Sequence, residues 1–232
     1  MEEKTSPQIS AIVPCYNEAE RIGRVLTVLL RSAIIGQVIV VNDGSTDNSL
    51  EAIQSYQHPK LTLVNLVENR GKGDAVKAGL RRARYPLIFL CDADLRGLKE
   101  AHLHLLLKEY QKAPGQQIVV GLKEKQGFFG TALGKLLRRR VLPLIAGERL
   151  IARSLLKKIL AHKLASHYGL EIFMNYYCRK NKITIKKVEL KKVNDLPKFR
   201  KAGYGWWLYL LEGLQILRNI FRSILGSFLV IY

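Results

Sequence analysis

Two carboxylates one residue apart, Asp92-Ala93-Asp94, follow the apolar run Leu87-Ile88-Phe89-Leu90-Cys91. Like charges that close disfavour each other's ionisation. A divalent cation removes the conflict, and Mg2+ or Mn2+ is ordinarily held by one or two carboxylates together with substrate phosphates. A helix-capping Asp with a solvated neighbour is the plainer reading of the same residues. Upstream, Gly71-Lys72-Gly73 lets backbone and an ammonium approach a ligand, at the start of a helix whose N-terminus favours anions; a simple turn reads the same way. It is no P-loop, and no G-x-G-x-x-G follows the first strand. Asp43, in Asn42-Asp43-Gly44-Ser45, can accept a hydrogen bond from a base N–H or form an Asx-turn. Tyr16, in Pro14-Cys15-Tyr16-Asn17-Glu18, suits a base or ribose face or the core.

These segments need a frame that gathers them. Ile9 to Val13 is a short apolar run stopped by Pro14, and Arg21 to Leu30 shows helical spacing. Val38-Ile39-Val40-Val41 reads as a strand buried on both faces. Ser45 or Thr46 can cap the helix that follows. Leu61 to Val64, Leu87 to Leu90 and Ile118 to Val120 are further strands, separated by helices over Gly71 to Arg84 and Leu98 to Tyr110. Ile183 to Leu190 alternates like a strand with one wet face. Alternating strands and helices predict an α/β fold with a mostly parallel central sheet and right-handed crossovers. Such sheets bind ligands at the carboxyl ends of their strands, where these polar segments fall.

The series PCYNE, VVNDGSTDNS, ENRGKGDAVKAG and CDADL resembles the nucleotide-sugar domain of family 2 glycosyltransferases. Within that family it is most similar to the dolichyl/polyprenyl-phosphate sugar transferase group. The resemblance is specific over residues 8–121 and looser over 122–200. It implies a GT-A (Rossmann-like) fold, a UDP- or GDP-sugar donor, Mg2+ or Mn2+, and inversion at the anomeric carbon. It also implies that Pro14, Tyr16, Glu18 and Asp43 line the nucleoside pocket with Lys72 nearby, and that Asp92-Ala93-Asp94 meets the ribose-diphosphate, with Asp92 and Asp94 on the metal. Two positions depart from the pattern. Asn42 stands where many relatives have Asp. Arg96 stands where some have a Gln metal ligand, and Arg cannot ligate a metal.

In the second half, Ala146-Gly147-Glu148-Arg149-Leu150 resembles the family's small-Gly-x-Arg segment near donor sugar and acceptor. Arg149 there suits a phosphate, which a guanidinium grips through two parallel hydrogen bonds; a surface charge is the alternative. Glu171 sits where relatives often carry a helical acidic residue, as a base or as an orienting partner of Arg149. Asn194-Asp195 occupies the place of a His found in relatives, so no His metal ligand is expected. The expected organisation is a GT-A domain over 1–200, divided into a nucleotide-sugar half (8–121) and an acceptor half (122–200), followed by an amphipathic helix over 201–232.

Charge supports that division. The 232 residues hold 38 Lys+Arg and 19 Asp+Glu, net +19. Residues 1–116 have 15 basic and 13 acidic residues, net +2, and residues 117–232 have 23 and 6, net +17. The second half should meet something anionic, such as a phosphorylated acceptor or a membrane surface. Arg138-Arg139-Arg140 reads as a solvated charge run. With 48% hydrophobic residues the chain is no disordered basic tail. Cys15, Cys91 and Cys178 form neither a disulfide framework nor a zinc spacing, which suits a reducing cytosol. The opening MEEKTSPQ is no signal peptide. Trp206 to Tyr232 has no uncharged span of about 18 apolar residues. Its aromatics beside Lys198, Arg200 and Lys201 suggest an interfacial helix at the cytoplasmic face of a membrane, or a helix packed on protein.

The reading is therefore sugar transfer to a phosphate-bearing acceptor, polyprenyl or dolichyl phosphate above others. The same chemistry on a soluble or hydroxyl acceptor is the alternative. A non-catalytic module for anionic surfaces or nucleic acid is the outsider, with no nucleic-acid fold signature to support it.

Overall fold

The computed structural model describes residues 9–123, 146–162, 165 and 169–195. The run Arg138-Arg139-Arg140 and the expected helix over 201–232 lie outside the described residues. In the first half, β1 (Ile9–Cys15), α1 (Ile22–Arg31), β2 (Ile35–Asp43), α2 (Ser49–Gln54), β3 (Leu61–Leu66), α3 (Lys72–Arg82) and β4 (Leu87–Leu90) alternate strand and helix. The short β5 (Leu95–Arg96), α4 (Glu100–Tyr110) and β6 (Gln117–Lys123) follow. The second half supplies β7 (Arg149–Ala152), α5 (Arg153–Leu160), α6 (Leu170–Lys180), β8 (Thr184–Leu190) and β9 (Asn194–Asp195).

Seven strands form one sheet in the order β3-β2-β1-β4-β7-β6-β8. All neighbours are parallel except β7, which runs antiparallel to both β4 and β6. The interior strands are apolar on both faces because helices cover both. Along β2, Val38 and Val40 join the core under α1 and α4, while Ile39 and Val41 join the core under α3, α5 and α6. The same alternation sends Phe89 to the first core and Ile88 and Leu90 to the second. The edge strand β8 keeps a mostly exposed face, as its alternation predicts.

Three details differ from the sequence reading. Pro14 does not stop β1; it pairs in register with Val41, and its fixed φ suits extended backbone. Ser45 and Thr46 do not cap α2. That helix begins at Ser49, whose N–H donates to the Asp47 carboxylate at 3.0 Å. Strand β7 was not expected, because four residues following a Gly-Glu pair give too short a pattern to read. Its reversed direction matters most for the site. It brings its first residue to the edge where the parallel strands end, opposite Leu90 of β4 and Val120 of β6.

Among the described residues, no helix is long and apolar enough to cross a membrane.

Candidate active site

The carboxyl ends of β1, β2 and β4, the start of α3 and the start of β7 meet along one edge. On the β1–β2 side the rim is tied by hydrogen bonds to backbone. Asp43 is buried, and its two oxygens accept the N–H groups of Arg70 and Gly71, each at 2.9 Å. It thus pins the loop after β3 rather than forming a local Asx-turn. Gly44, at φ 64°, lies so close to that loop that a Cβ would sit 2.4 Å from the Glu68 carbonyl carbon. The Asn17 N–H donates to Ser45 Oγ at 3.0 Å, and the Thr46 N–H donates to Asn17 Oδ1 at 2.8 Å. The residues expected to cap α2 therefore join the loops after β1 and β2. Pro14 and Tyr16 are half-buried on this rim. Glu18 is buried, with Oε2 2.7 Å from Arg21 Nη1, and its own N–H donates to Ser49 Oγ.

The β4 side is built from charges. Lys72, the first residue of α3, places Nζ 2.6 Å from Asp92 Oδ1 and 2.5 Å from Glu171 Oε1. Lys123, the last residue of β6, places Nζ 3.1 Å from Asp92 Oδ2 and 3.1 Å from Glu148 Oε1. Burial alone would raise the Asp92 carboxyl, but the two ammonium groups outweigh it and hold it far below the usual carboxylate range. Burial likewise works against the Lys72 ammonium, and Asp92 with Glu171 outweighs it, so its proton is held more tightly than in an ordinary lysine. Gly147 completes the box: a Cβ there would lie 2.5 Å from both Asp92 oxygens.

One sequence expectation changes at this point. Arg149 is completely buried; its Nε donates to the Ala146 carbonyl at 2.9 Å and its Nη1 to Asn175 Oδ1 at 2.8 Å. In this arrangement the guanidinium braces β7 against α6 inside the site's wall, where the sequence suggested an exposed grip on phosphate. Glu171 stands one helical turn before Asn175 on the same face of α6. Its ion pair is with Lys72, its charge acts on Arg149 as well, and Asn175 hydrogen-bonds that guanidinium. The site thus gathers Lys72, Asp92 and Glu171 directly, with buried Ala93 and half-buried Asp94 next in the chain.

Lys123 and Glu148 were missed by the sequence reading, which ended the strand at Val120. The available signal was the first charge after the apolar run Ile118 to Leu122, at the strand end where such folds bind ligands.

The carboxylates fit a divalent cation, though not for the reason the sequence suggested. Asp92's charge is answered by two lysines, so its conflict with Asp94 does not require a metal. Among the described residues no three His, Cys, Asp or Glu side chains converge on a metal position. A cation here would rest on Asp94 with donor phosphates and water completing its shell, the usual arrangement for Mg2+. The two-residue β9 pairs with β5, so Asn194 and Asp195 run beside Leu95 and Arg96, just past Asp94.

Known proteins resemble this chain in two ways. A dolichyl-phosphate beta-glucosyltransferase of Trichomonas vaginalis is 43% identical over 94 residues, covering 36% of this chain and 28% of that protein. A poly-beta-1,6-N-acetyl-D-glucosamine synthase of Staphylococcus epidermidis is 31% identical over 127 residues, covering 53% of this chain and 31% of the synthase. The chain thus spans less than half the length of these relatives. In structure it is similar to glucosyl-3-phosphoglycerate synthase from Mycobacterium tuberculosis in complex with Mn2+, UDP-glucose and glycerol 3-phosphate, with a TM-score of 0.71 at 21% identity over 94% of this chain and 80% of that one. The fold is accordingly GT-A-like, as the family resemblance implied, and its mostly parallel sheet is the one the strand–helix alternation predicted. Residues 10–164, more than half of the chain, match the family model described as glycosyl transferase family 2, and the chain belongs to that family.

Proposed function

We propose that this chain transfers a sugar from a nucleoside-diphosphate sugar to a phosphate-bearing acceptor, with polyprenyl or dolichyl phosphate as that acceptor. The observation that carries the reading is the pairing of Asp92 with Lys72 beside Asp94, at the strand ends where α/β sheets bind ligands. Pro14, Tyr16 and Asp43 border the nucleoside. Lys72 turns from Asp92 and Glu171 to the diphosphate. A divalent cation bound at Asp94 would offset charge on the departing nucleoside diphosphate. Donors aimed at developing charge supply the largest share of catalysis in such sites.

The acceptor attacks the opposite face of the anomeric carbon, and inversion follows. A phosphate is already an anionic nucleophile and needs no strong base. This agrees with a Glu171 held as the counter-ion of Lys72 rather than poised to take a proton. Support for a lipid phosphate comes from the name of the dolichyl-phosphate relatives and from the +17 charge of residues 117–232. Support for a phosphate acceptor in general, and for Mn2+ with a uridine nucleotide, comes from the ligands named with the similar structure. The expected place of action is the cytoplasmic face of a membrane, touched by residues 201–232.

Calorimetric titration with UDP, GDP, UDP-glucose and GDP-mannose, each with Mn2+ and with EDTA, tests the donor. Metal-dependent binding of one of them is expected, and no binding to any would sink the reading. Asp94→Asn is expected to fold and to lose about 100-fold or more in turnover, the lower range for removing one electrostatic contributor; a variant retaining more than about a tenth of wild-type turnover would remove Asp94 from the metal. Transfer to polyprenyl phosphate in vesicles, against transfer to 3-phosphoglycerate in solution, separates the two acceptor sources.

A further inference from the structure

We propose that Lys123 is a positioning residue, the standing counter-ion of Asp92, and that its presence leaves Lys72 free to exchange Asp92 for the diphosphate of the donor. The inference rests on the nucleotide-sugar reading above.

Two ammonium groups hold the two oxygens of one carboxylate, and they differ in almost everything else. The Lys123 side chain is 8% exposed and its second partner, Glu148, is 0% exposed. Both are tied to the sheet: Lys123 closes β6, Glu148 immediately precedes β7, and the Gly121 N–H donates to the Glu148 carbonyl at 2.8 Å. Lys72 is 28% exposed, and its second partner, Glu171, sits in the first turn of α6.

A buried ammonium deprived of its carboxylates has no water to turn to, so Lys123 stays where it is. Lys72 can leave at lower cost, because solvent and an arriving diphosphate both offer it partners. Were it the sole cation on Asp92, its departure would leave a bare carboxylate facing an incoming anion. Lys123 removes that penalty and also fixes the carboxylate's orientation, with the Gly147 backbone closing the remaining side.

The test uses the full chain and calorimetric binding of UDP and of uridine, both with Mn2+, with GDP and guanosine substituted where the wild type prefers them. Lys123→Met is expected to weaken UDP binding by about 30-fold or more, the smallest loss typical of breaking a buried charge pair, while uridine binding stays unchanged. Lys123→Arg is expected to recover most of the loss. Equal weakening of UDP and uridine without rescue by Arg would make Lys123 structural and overturn the proposal. Unchanged UDP affinity in Lys123→Met would overturn it too.

Lys123→Gln, which keeps hydrogen-bonding capacity without the charge, decides the matter if the Met variant does not fold: a selective loss of UDP affinity supports the proposal, and unchanged affinity or an equal loss of uridine refutes it. A wild type that binds neither nucleotide would fail the donor reading itself, and this inference would fall with it. A wild type that binds UDP beside an unaffected variant defeats this inference alone.

Discussion

The two sides of the strand-end edge are built from different materials. On the β1–β2 side, Asp43, Asn17 and Asp47 spend their oxygens on backbone N–H groups of neighbouring loops. On the β4–β6–β7 side, Lys72, Lys123, Asp92, Glu148 and Glu171 pair with one another. Each material suits its half of the proposed donor. A planar base needs a rim whose shape is set beforehand, and hydrogen bonds to fixed backbone have one good geometry. A diphosphate arrives with its own charge and needs cations already desolvated, paired and able to change partners.

Three substitutions and one labelling experiment would break or sharpen this contrast. Lys72→Met should act most strongly, lowering kcat/KM for the donor about 100-fold or more by stranding Glu171 and removing the cation that would meet the diphosphate. Uridine binding should survive it, and steady-state kinetics beside calorimetry would show whether the two sides are separable. Gly147→Ala forces a Cβ against both Asp92 oxygens. It should cost about 1–3 kcal/mol in denaturant unfolding, as overpacking does, and take UDP binding with it. Asp43→Asn keeps one acceptor oxygen for two backbone donors. A loss of about 1 kcal/mol in stability is expected, with uridine and UDP weakened in the same ratio; a loss confined to UDP would erase the distinction between the sides.

The smallest effect concerns thiols. Burial, the main cause, pushes the Cys15 thiol on the first side up to about 12 and raises Cys91 on the second well above its ordinary value. Native protein at pH 8 should therefore resist iodoacetamide at both, and mass spectrometry under mild urea would reveal which side opens first.

The first half of the chain was readable because each strand–helix unit carries its own pattern. The apolar run Val38 to Val41, the polar turn after it and the helical spacing that follows are all local. So were Asp92 and Lys72 as candidates, since each sits in a turn of marked composition. Their partners were not local. Lys72 meets Glu171 across 99 positions, and Lys123 meets Asp92 across 31. Only the sheet order, with antiparallel β7 placed between β4 and β6, decides those meetings. Arg149 shows the same limit from the other direction. An arginine beside Gly-Glu reads as an accessible grip on phosphate, or as a surface cation, until β7 is found in the middle of the sheet, where its side chain is buried against Ala146 and Asn175.

The reversed strand carries one more consequence. The chain leaves the sheet at Lys123 and returns at Arg149 on the same edge, and the two ends are stitched together by Gly121 and Glu148. The two charges at that junction, Lys123 and Glu148, are therefore set 3.1 Å apart by strand pairing itself. A slip of one residue in the β6–β7 register would separate them, so the electrostatics of this rim are written into the alignment of two strands.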